Sequence, residues 1–509
     1  MFRFRVSLAT VLLSLLTGAV AQDANTTACQ SNLTMAGAAP NNTKVLILGG
    51  GMAGVIAART LHEQGIDDFV IVEAKHVFGG RMAQTTFGVN GSQYVLEKGP
   101  NWVHGTQTGS GPANPVWLLA QKHNLSMVQS DLFSNICVFD VYAIRCFHLP
   151  FFDYNGPNDY SATFNASLTA FNNAIVLAGE RWQQNKTDLD LRSAYNYMGV
   201  APKTPQEQAC EYYQIDYDAS QTSTLAAAWN YNYTFVPEAG GFSDVDMLCV
   251  DQRGFACIVQ AEAATFLNTS QVLFNQIVKT IQYNQNGVTV QTTDGYNLTA
   301  DHALVTFSAG VLQNTDVVFD PVLPDWKREA ISSIEMPVYT KIFLQFEKKF
   351  WFDTGVGLYA DQQRGRYPIW ESLDLPGLFN GSGIIFVTVT GDYANYLEQL
   401  NKNITQVQLE VMEVLRRMYP DAPDPIDIWL PMWGRDPLFR GSYSNWGASF
   451  VPEHAYNLSV PVNGHLWFAG EATSVKYFGF LHGAYLEGQN AANNIAACIK
   501  NPQRCPPTT

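Results

Sequence analysis

Two stretches of this sequence hold residue types at spacings that could do chemistry. Gly49-x-Gly51-x-x-Gly54 stands between the apolar run Lys44-Val45-Leu46-Ile47-Leu48 and a helical stretch through Gln64 that Gly65 closes. In such a pattern the first glycine permits a tight turn. The second lets backbone approach a pyrophosphate, and the third lets helix pack on strand. The helix start offers free N–H groups and partial positive charge to phosphate oxygens. A second apolar run, Phe69 to Val72, ends at Glu73, about 20 residues beyond Gly54, where a carboxylate can take ribose hydroxyls. Gly79-Gly80-Arg81 follows, and taken alone it reads as a surface loop with a solvated arginine. Beside a pyrophosphate, the same residues bring backbone and guanidinium onto phosphate together. Toward the other end, Trp467-Phe468-Ala469-Gly470-Glu471 leads through Phe478-Gly479-Phe480-Leu481-His482-Gly483-Ala484-Tyr485 into a last helix, a second place for the polar edge of a ligand.

These groups need a frame. Strand, glycine turn, helix and second strand make a βαβ unit, so the chain opens as a doubly wound α/β sheet. Gln271 to Thr293 alternates as two strands around Asn284-Gln285-Asn286-Gly287. Leu304 to Ser308 reads as a buried strand, as do Tyr339 to Phe346 and His465 to Ala469. Thr405 to Tyr419 is an amphipathic helix stopped by Pro420, and a final helix runs from about Gly483 to Cys498. Residues from about 160 to 235 mix helical patches with Pro-, Gln- and Tyr-rich stretches.

Composition narrows the function. The 509 residues are 47% apolar, 15% charged and 13% aromatic, enough for two large domains and unlike a disordered chain. The net charge is −15, from 30 Lys plus Arg against 45 Asp plus Glu, with no basic run. That excludes nucleic acid and an anionic membrane as partners; it suits a cationic ligand, or solubility alone. Arg3 and Arg5, an apolar run from Val6 to about Leu16 and Thr17-Gly18-Ala19-Val20-Ala21 read as a secretory signal over 1–21, followed by a polar leader over 22–43. Asn-x-Ser/Thr sequons start at Asn25, Asn32, Asn41, Asn90, Asn124, Asn165, Asn185, Asn232, Asn268, Asn297, Asn380, Asn403 and Asn457. Chance would supply roughly four, so the excess favours a secreted glycoprotein. Eight cysteines follow residue 21. In an oxidising compartment they allow on the order of a hundred full pairings, of which close pairs such as Cys137–Cys146 or Cys498–Cys505 are simple guesses. No Cys-x-x-Cys occurs, which leaves no zinc ribbon or dithiol site, and no metal is expected.

Five motifs in order resemble the flavin-containing amine oxidases, most of all the polyamine oxidase branch. They are the fingerprint with Gly79-Gly80-Arg81, Glu97-Lys98-Gly99-Pro100-Asn101-Trp102-Val103-His104-Gly105, Tyr339-Thr340-Lys341-Ile342-Phe343, Gly441-Ser442-Tyr443-Ser444-Asn445-Trp446 and Ala469-Gly470-Glu471. The similarity spans about 44 to 500 and is weakest between about 125 and 235. It implies a Rossmann-like FAD-binding domain interleaved with an α+β substrate domain on a mixed sheet. The FAD-binding part would take 44–124, 236–332 and 446–500, and the substrate part 125–235 and 333–445.

The resemblance also implies roles. Gly49, Gly51, Met52, Ala53 and Gly54 would form the FAD fingerprint, Glu73 would hold the adenosine ribose and Arg81 the pyrophosphate. Val278 would meet the adenine through its backbone, and Glu471 the ribityl-phosphate region. Trp433 would lie against the flavin, with Asn101, Trp102, Phe480 and Leu481 also in the cofactor site. The helix near His482 would aim its positive end at the pyrimidine edge of the ring. Gly447-Ala448-Ser449 lacks the cysteine that monoamine oxidases attach to flavin, so FAD is expected to be non-covalent. Lys341 matches the lysine that holds a water near flavin N5; by position alone it would face solvent. Tyr443 and Phe480 match the aromatic walls of the reactive face, where many relatives have Tyr at the second place. Without the resemblance both read as core aromatics. His104 matches a substrate-side position, though a structural histidine would look the same.

The implied activity is a secreted, FAD-dependent oxidation of spermine- or spermidine-type amines by O2, giving an imine that hydrolyses, and H2O2. A monomer is favoured. A monoamine or L-amino-acid oxidase on the same scaffold is the nearest alternative; the latter needs an arginine for the substrate carboxylate, and Glu97 to Gly105 holds none. An FAD-containing binding protein without redox activity is the alternative of a different class.

Overall fold

The computed structural model describes Cys29, residues 41–130, 150–215, 217–400 and 403–506, and the backbone of 138–140 and 143–147. The signal over 1–21, most of the leader and the Cys137–Cys146 pairing lie outside the described residues.

The opening run forms the strand Asn42–Leu48. Val45 and Ile47 pack into one core and Leu46 and Leu48 into another, all four fully buried, so both faces are covered as in a parallel sheet. The strand pairs in parallel with Phe69–Val72 on one side and Asn297–Val305 on the other. The eight-stranded sheet runs Val272–Leu273, Phe69–Val72, Asn42–Leu48, Asn297–Val305, Gly287–Thr292, Val278–Asn284 and Val318–Asp320, with Leu466–Phe468 beside Asn297–Val305. Asn297–Val305 divides one edge: its first half pairs antiparallel with Gly287–Thr292, and Ala303 to Val305 pair in parallel with Leu466–Phe468. The strand expected over Leu304 to Ser308 therefore starts earlier and stops at Val305. Ser308 instead caps the short helix Ala309–Gln313 through its hydroxyl.

A second sheet of seven strands is ordered Gly156–Pro157, Phe151–Asp153, Val356–Ala360, Ile369–Ser372, Ile384–Thr390, Tyr339–Gln345 and Asp427–Trp429. It is antiparallel except where Phe151–Asp153 joins Val356–Ala360, so it is mixed. One face packs Ile342, Trp370 and Val387 against Val407, Val411 and Leu415 of the Ile404–Met418 helix. Helices Ser161–Gln183, Leu191–Met198, Pro205–Gln214 and Thr224–Phe235 fill the stretch that was hardest to read. The fold is a Rossmann-like α/β domain interleaved with an α+β domain on a mixed sheet, and the chain passes between the two sheets several times.

Two disulfides stand among the described residues. Cys498–Cys505 joins near neighbours, as proximity suggests. Cys29–Cys257 spans 228 positions and ties the leader to the Cys257–Phe266 helix, a pairing no local spacing could indicate. Cys210 and Cys249 are free and buried, so the even count does not mean full pairing.

Candidate active site

One continuous cavity of about 980 Å³ runs between the two sheets. Its first end is built from backbone. Gly49 holds φ +115°, and a Cβ there would come within 2.5 Å of Thr306 Oγ1. A Cβ on Gly54 would stand 1.9 Å from Gly49 O, so this glycine exists for helix–strand contact; alone among the predicted cofactor residues, it does not line the cavity. At Gly51 the nearest atom to a Cβ is Gly80 Cα at 3.8 Å, so the space it leaves opens into the cavity. Gly51 begins the Met52–Glu63 helix with no side-chain cap and no acid in its first turn, so these N–H groups and their partial charge face the cavity unopposed.

Glu73 closes this end. Its Oε2 accepts from Gly50 N at 2.6 Å and its Oε1 from Lys75 N at 2.7 Å; burial pushes its carboxyl pKa up, against both bonds. Arg81 Nη1 donates to Ser442 O at 3.1 Å and Glu471 Oε1 at 2.9 Å. Glu471 also accepts from Ser444 N at 3.2 Å, Gly479 N at 2.7 Å and Ser444 Oγ. It thus ties three loops together, and all its acceptor directions are used within the chain. The open space at Gly51, an uncapped helix start, a guanidinium alongside and a buried acid at the strand end fit a dinucleotide. Val278 and Trp433 line the same cavity, and Trp433 Nε1 donates to Lys98 O at 3.2 Å.

The far end is built from side chains. Lys341 is not solvent-facing: it is 3% exposed and points from the seven-stranded sheet into the cavity. Its Nζ donates to Gly99 O at 2.6 Å and to Asn101 Oδ1. Burial lowers its pKa to about 8, opposed by the charges of Glu371 and Glu97. Trp102 lies with its ring centroid 5.8 Å from the Lys341 ammonium and donates from Nε1 to Ser130 Oγ at 3.1 Å. Tyr443 and Phe480 line the cavity, Tyr443 with its ring 6.1 Å from that of Tyr339. The His104 ring lies tilted against that of Phe480, centroids 5.2 Å apart, and meets Asp246 through Nδ1 at 3.2 Å, while Asp246 also accepts from Gly105 N. Phe480 is the N-cap of the Leu481–Lys500 helix, which again starts with no side-chain cap and no acid in its first turn. The helix begins at Leu481, two residues before the expected Gly483.

The structure thus brings Lys341, His104, Tyr443 and Phe480 to one cavity with Gly49, Gly51, Met52, Ala53, Glu73, Arg81, Asn101, Trp102, Val278, Trp433, Glu471 and Leu481. Sequence reasoning missed Lys75, Asp246, Tyr339 and Glu371, which line it too. Tyr339 carried a signal, two positions before Lys341 on the same strand face. Glu371 carried none, since its place depends on which strands pair.

The family described as flavin containing amine oxidoreductase matches residues 52–496. Polyamine oxidase 1 of Zea mays is 34% identical over 492 residues, covering 91% of this chain and 92% of that protein. Polyamine oxidase 6 of Oryza sativa subsp. japonica is 33% identical over 483 residues, covering 90% and 91%. A solved structure of wild-type putrescine oxidase bound to putrescine shares the fold, with a TM-score of 0.69 at 17% identity over 90% of this chain and 99% of that one.

Proposed function

The chain belongs to the flavin containing amine oxidoreductases and is an FAD-dependent amine oxidase, and we propose that it is a secreted polyamine oxidase acting on spermine- and spermidine-type amines. The observation that carries this reading is the single cavity joining the glycine cradle to the buried Lys341 and its aromatic surroundings. When bound, FAD supplies the two-electron acceptor for the carbon beside the amine nitrogen and returns the electrons to O2. Gly49, Gly51, Glu73 and Arg81 would hold its nucleotide half, and the Leu481–Lys500 helix start would face developing negative charge.

The chain's own residues do the rest. Tyr443, Phe480 and Trp102 exclude water around the amine and orient it, which favours a neutral reacting nitrogen. Lys341 has two of its three hydrogens committed to Gly99 and Asn101, which leaves the third for a water or the substrate. Its pKa near 8 lets Nζ take and give a proton close to neutral pH. The cavity is lined by several acids, which suits a polycation. The names of the similar plant proteins support the same substrate class. Export is supported by the N-terminal pattern, the sequon excess and the disulfides. The described sequon asparagines are exposed except Asn232 and Asn457. An L-amino-acid oxidase is disfavoured because Arg81, at the nucleotide end, is the one arginine lining the cavity among the described residues, which leaves none beside Lys341 for a substrate carboxylate.

The test is anaerobic mixing of the purified holoenzyme with spermine, spermidine, a monoamine and L-amino acids, following flavin bleaching, with product analysis in air. Bleaching by the polyamines, with an aldehyde and H2O2 as products, is expected. Reduction by L-amino acids or by the monoamine alone overturns the substrate reading, and recovery of the protein only inside expressing cells overturns export.

A further inference from the structure

The Phe480 ring stands against two imidazoles. His104, which lines the cavity, lies 5.2 Å from it between centroids, and His482 stacks on it at 4.9 Å with an interplanar angle of 21°. Phe480, Leu481 and Ala484 line the cavity, whereas His482, in the first turn of the same helix, does not and is 2% exposed. Tyr477 and Phe242 meet its ring edge-on at 4.9 and 5.3 Å.

Hydrogen bonds decide which protons this buried ring carries. Asn114 is fully buried and caps the Pro115–Lys122 helix, its Oδ1 accepting from Val116 N at 2.9 Å. Its Nδ2 donates to His104 O at 2.9 Å, so two contacts fix which way round the amide lies. That leaves the second hydrogen of Nδ2 for His482 Nδ1 at 3.3 Å, and a donor there requires Nδ1 to be unprotonated. The ring proton therefore sits on Nε2, which meets the buried Thr234 Oγ1 at 3.4 Å. An imidazolium would set two N–H groups against each other. Burial holds the His482 pKa well below the ordinary histidine value, and charge on His104 acts in the same direction. The other titratable groups around the ring are Tyr477 and the Asp246 that holds His104; the Pro115–Lys122 and Thr224–Phe235 helices present Asn114 and Thr234. Among the described residues no carboxylate is hydrogen-bonded to His482.

We propose that Asn114 is a positioning residue that locks His482 as the neutral Nε2–H tautomer, so that the helix start at the amine end of the cavity carries the partial charge of its backbone and no titrating cation. This rests on the amine oxidase reading above, though not on which amine is preferred. A cation at His482 would stand directly behind the Phe480 wall and repel a positively charged substrate. One amide thus ties the backbone of His104 to the helix that carries Phe480, and keeps the field there constant with pH.

Two variants separate this role from helix capping. Asn, Asp and Ser cap helices about equally well, so a residue that only capped would tolerate both changes. Asn114→Asp keeps the acceptor for Val116 N but turns an oxygen toward His482 Nδ1, which favours a proton there. Asn114→Ser removes the donor without adding charge, and is the second variant should the first fail to fold. Bound flavin absorbance verifies that the holoenzyme is intact. The readouts are ring-nitrogen NMR shifts of the histidines, with His482 assigned by its loss in His482→Gln, and kcat/KM for the best amine of the panel above, both from about pH 5.5 to 8.5.

In wild type the His482 ring should hold one neutral tautomer throughout. In Asn114→Ser it should move toward a mixture of tautomers, and in Asn114→Asp it should titrate at or above about 6.5. As pH falls through that transition, kcat/KM of Asn114→Asp relative to wild type should drop at least about fivefold, because one positive charge then faces a cationic amine. A His482 that titrates in wild type, or ring shifts unchanged in both variants, overturns the lock. A His482 that titrates in Asn114→Asp while the kcat/KM ratio stays flat overturns its role at the amine. If wild type oxidises none of the amines, the amine oxidase reading falls, and the ring-nitrogen shifts alone decide the lock.

Discussion

The two ends of the cavity are made by different means. The nucleotide end is built mainly from residues 49 to 81, and backbone N–H groups and the space left by missing side chains make most of it, with Glu73 and Arg81 at its sides. The amine end gathers His104, Lys341, Glu371, Tyr443 and Phe480 from distant segments, and its working parts are side-chain charges and rings. The first is a steric device, either open or blocked. The second is electrostatic and can be tuned by degrees, because burial and neighbouring charge add and subtract.

The sharpest way to break this comparison is at Gly54. A Cβ 1.9 Å from Gly49 O has only backbone to push against, so Gly54→Ala should yield little folded, yellow protein and cost at least about 3 kcal/mol in what folds. The flavin-to-protein absorbance ratio and a denaturant curve measure both; a yellow variant of wild-type stability would show that the cradle yields after all.

Next is Lys341→Met, which should keep the cradle and the colour but slow turnover at least about tenfold. The FAD should leave the wild-type chain on mild denaturation, since no attachment cysteine is at hand. Flavin that stays with the precipitated chain, or wild-type rates in both half-reactions of the variant, would contradict these expectations.

The pH profile sharpens the contrast further. Burial disfavours the charged form of Lys341, so its neutral form gains population as pH rises through about 8. Desolvation likewise lowers the pKa of the reacting amine below the value of about 10.4 typical of a free lysine-like amine. Flavin reduction should accelerate with pH, and the limb near 8 should vanish in Lys341→Met. Rates that stay flat from pH 6 to 10, on a scale where shifts of about 2 units are expected, would refute a neutral-amine mechanism.

A smaller effect is expected from salt. KM for spermine should rise with ionic strength more than KM for a monoamine, because several charges sense the acidic chain together. A KM that does not move assigns the acidity to solubility alone.

The smallest effect concerns Glu97, which is buried behind Lys341 with Oε1 taking Phe255 N at 2.7 Å and Oε2 without a partner. Burial raises its pKa from 4.5 to about 7, so the folded state holds the proton more tightly than the unfolded chain. Its stability contribution is complete below about 4.5 and is lost as pH rises through about 7. Glu97→Gln should flatten that part of the Tm–pH curve, and an unaltered slope would remove Glu97 from the account.

Much of the frame was legible. The run from Lys44 to Leu48, the Phe69 to Val72 run and the Thr405 to Tyr419 amphipathic stretch lie within or against observed elements, off by a residue or two at their ends. The hairpin around Asn284 to Gly287 forms, but its first strand begins at Val278 rather than Gln271, because Val272–Leu273 pairs with Phe69–Val72 instead. The Leu304 to Ser308 run misled, since hydrophobicity does not mark where a serine turns from strand residue to helix cap. Cys29–Cys257 was invisible for another reason: spacing is informative only when the chain closes a short loop.

By itself the sequence determined the nucleotide cradle, because every part of it depends on glycine spacing and a strand end within one βαβ unit. It also determined net charge, the sequon positions and the strand face on which Lys341 and Tyr339 project. Only the tertiary structure decided that this face is buried rather than wet, and that Glu371 and Asp246 enter the chamber. It alone decided that Glu471 is occupied by Arg81, Ser444 and Gly479. The reason is physical: a glycine turn is specified by local backbone sterics, whereas a side chain's pKa and partners depend on which distant strands and loops exclude water around it.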